Sequence, residues 1–225
     1  MPSSALEILR SVPILAGVPE NDLVALAAAC RDRSYPAGQV ILQQDALGDS
    51  LYVLIDGQVK VVLIGEDGRE VILSVLGAGA VFGEMSLLDD EPRSAHVISM
   101  TPCNVLTLHR LAFRERLYAS PDLCMAVLAG LSKRLRRADE RIRALSLLDV
   151  NGRVAHLLLQ QAADAGSDTF PRRLTHQTMA ELIGASRETV SRTLRHLEER
   201  GVVAIHRRQV TILDRAALEA AVRSA

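Results

Sequence analysis

The period of the apolar residues changes once along this 225-residue chain, and that change limits the folds open to it. Between about residues 35 and 108 the apolar positions fall in short, β-branched runs: QVIL, SLYVLIDG, QVKVVLIG, REVILSVLG, HVISM and NVLTL. Inside them apolar and polar residues alternate, as Val59 and Val61 do with Gln58 and Lys60, and a period of two is that of strands with one buried face. Asp56-Gly57 and Asp67-Gly68 stand between runs, where tight hairpins need a positive φ. The pattern predicts an antiparallel β-roll or barrel, preceded by helices within residues 3–29.

After Pro121 the period becomes helical. Leu128, Leu131, Leu135, Ala138, Ile142 and Leu145 are separated by alternating threes and fours, the heptad spacing of a helix with one narrow apolar seam. The same spacing would serve a helix packed on its own core. Lys133, Arg134, Arg136, Arg137, Arg141 and Arg143 crowd the other faces, and so narrow a stripe favours pairing with its own copy, hence a homodimer through residues 121–149. Helical character resumes over residues 151–165 and is broken by AGSDTFPRR. The expected architecture is α+β: a β-roll sensor domain over 1–120, a long dimerisation helix and hinge over 121–149, and a separate C-terminal domain over 150–225.

The last of these can be read from local rules. Thr175 is placed to cap a first helix whose Met179, Leu182 and Ile183 face inward, and Gly184 ends it in a left-handed turn. Ser186 caps a second helix with Val190, Leu194 and Leu197 as its buried stripe. Two short helices joined by a glycine turn make a helix-turn-helix. Arg187, Glu188, Ser191 and Arg192 are left on the outer face of the second helix. Arginine can bond a guanine through two parallel donors, and a glutamate can accept from the cytosine amine. An ordinary solvated face would also be charged, but it would not need the cap, turn and second cap that present this one. VVAIHRRQVTILD follows as a hairpin wing, with Arg207 and Arg208 at its tip in reach of phosphates. Thr175, Gln177 and Ser186, at the two helix starts, complete the expected DNA contacts.

Charge agrees once it is divided. The formal net charge is −1, yet residues 150–225 hold 11 Lys and Arg against 8 Asp and Glu, while residues 1–149 hold 15 against 19. The basic end is the one carrying the helix-turn-helix. No apolar run approaches the ~20 residues of a membrane span, and the N-terminus lacks the plan of a secretory signal, so a cytoplasmic protein is expected. Cys30, Cys103 and Cys124 are far apart and never paired as CxxC, the pattern of buried or half-buried thiols rather than of a disulfide framework, zinc site or iron-sulfur cluster. HxxxH, HxH, GxSxG and GxxxxGK[ST] patterns are absent, which argues against an enzyme.

One further stretch carries chemistry, GAVFGEMSLLDDEPRSAHV. Gly83 would let backbone approach a ligand, and a short helix from Glu84, opening with Met85 and Ser86, would offer amides to a phosphate. Arg93 and Ser94 would add a charged clamp and a hydroxyl. A plainer role for Arg93 is an ion pair with a nearby acid.

Taken together, GASRETVSRTLRHLE, the LLDVNGR segment at 147–153 and this cassette resemble the CRP/FNR superfamily along the whole chain. The resemblance implies a cyclic-nucleotide-binding jelly roll controlling a transcription regulator. It implies base reading by Arg187, Glu188 and Arg192 on a palindrome similar to TGTGA-N6-TCACA in double-stranded DNA, and RNA polymerase as a partner. Residues 163–172, where that last contact would lie, are unlike the superfamily's contact loop. In the roll it implies Glu84 on the ribose hydroxyl, Arg93 and Ser94 on the cyclic phosphate, and Arg134 supporting Glu84. The base end departs from the cAMP pattern: two hydroxyl residues of the dimer helix are here Ala138 and Asp139. cAMP is the first expectation. Asp139 would suit the adjacent donors of guanine, and Arg136 with Asp139 forms an RxxD pattern similar to that of cyclic di-GMP receptors; an i to i+3 surface pair is the plainer account of those two. The resemblance is also compatible with a regulator that needs no ligand and with a haem sensor using His96 or His109. Outside that class stands a nucleotide-binding module that regulates a partner protein.

Overall fold

The computed structural model describes residues 5–66, 68, 70–171, 174–207 and 209–223, which cluster into two compact units, Met1–Arg134 and Leu135–Ala225. The first begins with α1 (Ala5–Ser11), a 3-10 turn at Pro13–Leu15 and α2 (Glu20–Ala29). There follow β1 (Arg31–Tyr35), β2 (Val40–Leu42), β3 (Ser50–Asp56), β4 (Val59–Ile64), β5 (Glu70–Leu76) and β6 (Val81–Phe82). Next come α3 (Met85–Leu88), β7 (His96–Ser99), β8 (Cys103–His109), α4 (Arg110–Ala119) and the start of α5 (Pro121–Leu147).

The strands form two antiparallel four-stranded sheets, β1-β8-β3-β6 and β2-β7-β4-β5, the β-roll that the alternation predicts. Strand β3 departs from the expectation of one buried face, because both of its faces are covered. Leu51 and Val53 enter a core with Leu9, Leu23, Phe113 and Leu123 from the helices. Tyr52 and Leu54 point the other way, into a second core with Leu42, Val59, Phe82 and Val97. At the β3–β4 hairpin Gly57 has φ +86°, and a Cβ there would stand 2.4 Å from the Pro102 carbonyl, so this turn needs glycine twice over. Asp67 of the second hairpin pair lies outside the described residues. No local pattern announces β1: its sequence, RDRSY, is polar and almost wholly exposed, and it is a strand because it pairs along the edge of β8.

Helix α5 is unbroken over 27 residues, as the heptads predict. Its first turns are anchored by Leu123 and Val127 in the helical core, with Leu131 packed against it, while Leu128, Leu135, Ile142 and Leu145 stay exposed.

The second unit takes the rest of α5, then α6 (Val150–Ala165), β9 (Thr169–Pro171), α7 (His176–Ile183), α8 (Arg187–Glu199), β10 (Val203–Ile205), β11 (Gln209–Ile212) and α9 (Arg215–Arg223). Asp149 caps α6 by accepting from Gly152 N, and Gly166 ends it at φ +64°. The break after α6 conceals a strand: β9 pairs with β11, so the wing is a three-stranded sheet, β10-β11-β9. Val154, Leu158, Phe170, Met179, Val190, Leu194, Val210 and Leu218 form the buried interior. Among the described residues no helix is long and apolar enough to cross a membrane. Cys30, Cys103 and Cys124 are free thiols, half-buried, buried and half-buried, and burial pushes the Cys30 thiol up to about 11.

Candidate ligand pocket and nucleic-acid interface

Gly83, Glu84, Met85, Ser86, Arg93 and Ser94 come together in the first unit. Arg93 is only 6% exposed and turns inward. It donates to Ser86 Oγ at 2.8 Å, to the Ser50 carbonyl at 2.6 Å and to the Gly83 carbonyl. Among the described residues it forms no salt bridge. Burial draws its pKa down, against the pull of Tyr52 and Asp49. A buried cation ringed by neutral acceptors retains a demand for an anion. Close contact fixes it in place: a Cβ at Gly48 would fall 2.4 Å from its Nε, and one at Gly83 2.8 Å from Nη1.

Glu84 sits at the start of α3, which is a single turn, and is 2% exposed. Arg134 of α5 donates to Glu84 Oε1 at 2.5 Å and to the Val81 carbonyl. Glu84 Oε2 is buried and has no hydrogen-bond partner among the described residues. An acceptor left this way costs roughly 1–3 kcal/mol unless a donor reaches it. Ser94 is exposed, its hydroxyl 4.0 Å from Met85 Sδ. Val61 and Leu76 are half-buried beside the second core and add apolar surface inside the roll.

Two residues that the sequence pattern does not single out hold this arrangement from behind. Gly48 leaves the space that the Arg93 guanidinium fills. Arg110, the first residue of α4, donates to the Gly48 carbonyl at 2.6 Å and the Ser86 carbonyl at 2.7 Å and pairs with Asp90, which has φ +62° and is also held by Arg114. Their partners are tens of residues away in sequence, which no local pattern records. Ala138 and Asp139 are exposed on α5, in the second unit, and among the described residues Arg136 and Asp139 form no salt bridge with each other. His96 Nδ1 accepts from Gln44 N, and His109 caps α4 by accepting from Leu111 N, so the two imidazoles raised as haem ligands serve backbone amides.

In the second unit the local rules hold closely. Thr175 accepts from Thr178 N at the start of α7, Gly184 closes α7 at φ +63°, and Ser186 accepts from Thr189 N at the start of α8. Val190 and Leu194 are buried, with Leu197 and Leu182 half-buried. Arg187, Glu188 and Arg192 are exposed together at the start of α8, with Ser191 half-buried between them. Gln177 donates to Glu181 one turn along α7, so its amide is already engaged. Arg207 is exposed at the wing tip, and Arg208 lies outside the described residues. Thr193 carries no sequence signal of its own; it is buried and donates to Asn151 Oδ1 at 3.0 Å, tying α8 to α6.

A roll that buries a guanidinium and a half-satisfied carboxylate, followed by a capped helix-turn-helix with a wing, defines a class, that of ligand-sensing DNA-binding regulators. Residues 32–119 match the cyclic nucleotide-binding domain and residues 152–221 the Crp-like helix-turn-helix domain. A CRP-like cAMP-activated global transcriptional regulator of Mycobacterium tuberculosis is 33% identical over 213 residues, covering 92% of this chain and 95% of the relative. The crystal structure of the catabolite activator protein of Thermus thermophilus is 34% identical, with a TM-score of 0.54, covering 94% of this chain and 98% of that one. The cyclic di-GMP responsive global regulator CLP of Xanthomonas campestris shares the fold, with a TM-score of 0.71 at 24% identity, over 86% of this chain and 99% of that one. The chain belongs to the CRP/FNR family of transcription regulators.

Proposed function

We propose that this chain is a sequence-specific regulator whose DNA affinity is set by a cyclic nucleotide, cAMP foremost, bound in the roll. The observation that carries the reading is the pairing of Arg93, a buried cation bonded to neutral acceptors, with the buried Oε2 of Glu84, which has no partner among the described residues. One offers charge to a cyclic phosphate and the other an acceptor to a ribose hydroxyl, the two groups that every cyclic nucleotide presents. Ser94 would join Arg93 on the phosphate, Gly83, Met85 and Ser86 would form the surrounding wall, and Arg134 would hold Glu84. The cAMP-activated relative supports the choice of nucleotide.

On the output side, Arg187, Glu188 and Arg192 would read base edges, with Thr175, Gln177, Ser186, Ser191, Arg207 and Arg208 on or near the backbone of a TGTGA-N6-TCACA-like palindrome. The proposed division is a sensor at 1–120, a dimerisation helix and hinge at 121–149 and a DNA-binding domain at 150–225. A homodimer would place two recognition helices one DNA turn apart, in a cytoplasmic protein with RNA polymerase as the further partner. Ligand binding would act as a population shift and requires a difference in nucleotide affinity between the two DNA-binding states.

Cyclic di-GMP is the second reading. It is favoured by Asp139, an exposed carboxylate suited to the two adjacent donors of guanine, beside an Ala138 that offers adenine no polar atom. Titration calorimetry with cAMP, cGMP and cyclic di-GMP separates the two. Saturable cAMP binding that tightens operator binding is expected, and a nucleotide that binds yet leaves operator affinity unchanged would sink the allosteric reading.

A further inference from the structure

Arg137, Arg141 and Leu145 recur every fourth residue and so stand in one row on the last turns of α5. Each meets a different part of the DNA-binding unit. Arg137 pairs with Asp164 of α6 at 2.8 Å. Arg141 donates to the Leu182 carbonyl of α7 at 2.7 Å. Leu145 lies over the turn of the helix-turn-helix, its Cδ2 3.6 Å from where a Cβ at Gly184 would be.

The middle contact is the one built to transmit. Leu182 belongs to the last turn of α7, where the helix has no amide to offer its own carbonyls. The partial negative charge of that helix end faces the guanidinium. Arg141 is half-buried, and burial draws its pKa down, so the cation has given up water to stay on α7. The Arg137–Asp164 pair is exposed on both sides, and pairs of that kind contribute little.

What Arg141 holds moves as one piece. α7 packs on α8, the Gly184 turn joins them, and hydroxyl caps fix both helix starts. A displacement of α7 at Leu182 is therefore delivered to Arg187, Glu188 and Arg192 at the head of α8.

We infer that Arg141 is the positioning residue through which α5 sets the helix-turn-helix, carrying the effector signal to the DNA-reading helix. The inference rests on the effector-controlled function proposed above. It concerns a contact distinct from the proposed nucleotide pocket, that of Arg141 with the Leu182 carbonyl.

The experiment compares the full chain with its Arg141→Gln and Arg141→Lys variants, using cAMP as the effector and a duplex carrying the palindrome. For each, operator affinity is measured without and with saturating cAMP, together with cAMP affinity in the absence of DNA and the melting temperature. Arg141→Gln should cut the ratio of the two operator affinities at least about fivefold, with cAMP affinity of the DNA-free protein held within about twofold. Lysine, which keeps both the positive charge facing the end of α7 and a donor for the Leu182 carbonyl, should restore most of the ratio. Amide exchange in the last turn of α7 should accelerate in the glutamine variant and not in the lysine variant. A lower melting temperature with an unchanged ratio would mean that Arg141 only stabilises the fold, and would overturn the inference. A ratio of one in the unaltered protein with cAMP, cGMP and cyclic di-GMP alike would instead defeat the effector reading, and this inference with it.

Discussion

Arg93 is held at 6% exposure by three neutral oxygens, and a guanidinium gives up several kcal/mol of hydration in such a place unless charge answers it. Its replacement by alanine should lower cyclic-nucleotide affinity by roughly 10- to 100-fold, the value of one charge-assisted hydrogen-bond pair, read by calorimetry. Gly48→Ala should produce a comparable loss without removing any ligand-contacting group, because its Cβ would collide with Arg93 and Ser86 Oγ at 2.4 Å. Full nucleotide affinity in Gly48→Ala would show that the inward pose of Arg93 is not the binding pose. The proposed cassette is visible in the sequence because 83–94 is one continuous stretch. Gly48, Ser50 and Arg110 are not, since strand pairing brings them in from 43 and 62 residues away. Burial, aided by Arg143 and opposed by Glu140, lowers the pKa of His156 below the ordinary 6.5. The unfolded chain then binds this proton more readily, so its contribution to stability is complete above about pH 6.5 and is lost as pH falls toward the lowered native value. His156→Gln should flatten that fall in melting temperature between about pH 7.5 and 5.5; an unchanged slope would put the dependence elsewhere.

Among the elements, those specified by a local signal are legible in the sequence, and those specified by a distant neighbour are not. α7 and α8 carry their caps and stops within their own sequences. Ser186→Ala should therefore cost about 1 kcal/mol, as the loss of an N-cap does, visible in chemical denaturation and with weaker operator binding. β1 and β9 carry no such signal: RDRSY and TFP become strands only because β8 and β11 offer them an edge. α5 shows both cases in one helix. Its heptads predict the length, but nothing local explains Gly130 within it. The structure does, because a Cβ at 130 would stand 2.1 Å from Ile14 Cδ1, so the 3-10 turn at Pro13–Leu15 presses directly on the α5 backbone. Gly130→Ala trades a gain of ~1 kcal/mol in helix propensity against overpacking of about 1–3 kcal/mol. Net destabilisation is expected, and Ile14→Ala in the same chain should relieve it; a stabilised single variant would show that Ile14 yields freely.

At the scale of the molecule the seam of α5 poses the remaining question of what covers it. Leu135 is 64% exposed and Ile142 62%, and Leu128 and Leu145 are exposed on the same heptad row. Four large apolar side chains in line on a 27-residue helix are more than the scattered exposure of an ordinary surface, and the spacing suits a parallel copy of the helix. DNA binding makes the same demand from the other end. A single recognition helix reads one half-site, and a palindrome rewards only a protein that presents two. Ile142→Asp, which puts a charge in the seam and leaves the nucleotide cassette untouched, should convert the dimer to a monomer in sedimentation at micromolar concentration. Operator affinity should fall by at least ~100-fold as the second half-site becomes a separate binding event, while nucleotide affinity per chain stays within about threefold, since Arg93 and Glu84 belong to the roll. A dimer that survives this change would locate the interface away from the heptad seam, and a monomer that still binds the palindrome at full strength would break the link between the seam and DNA recognition.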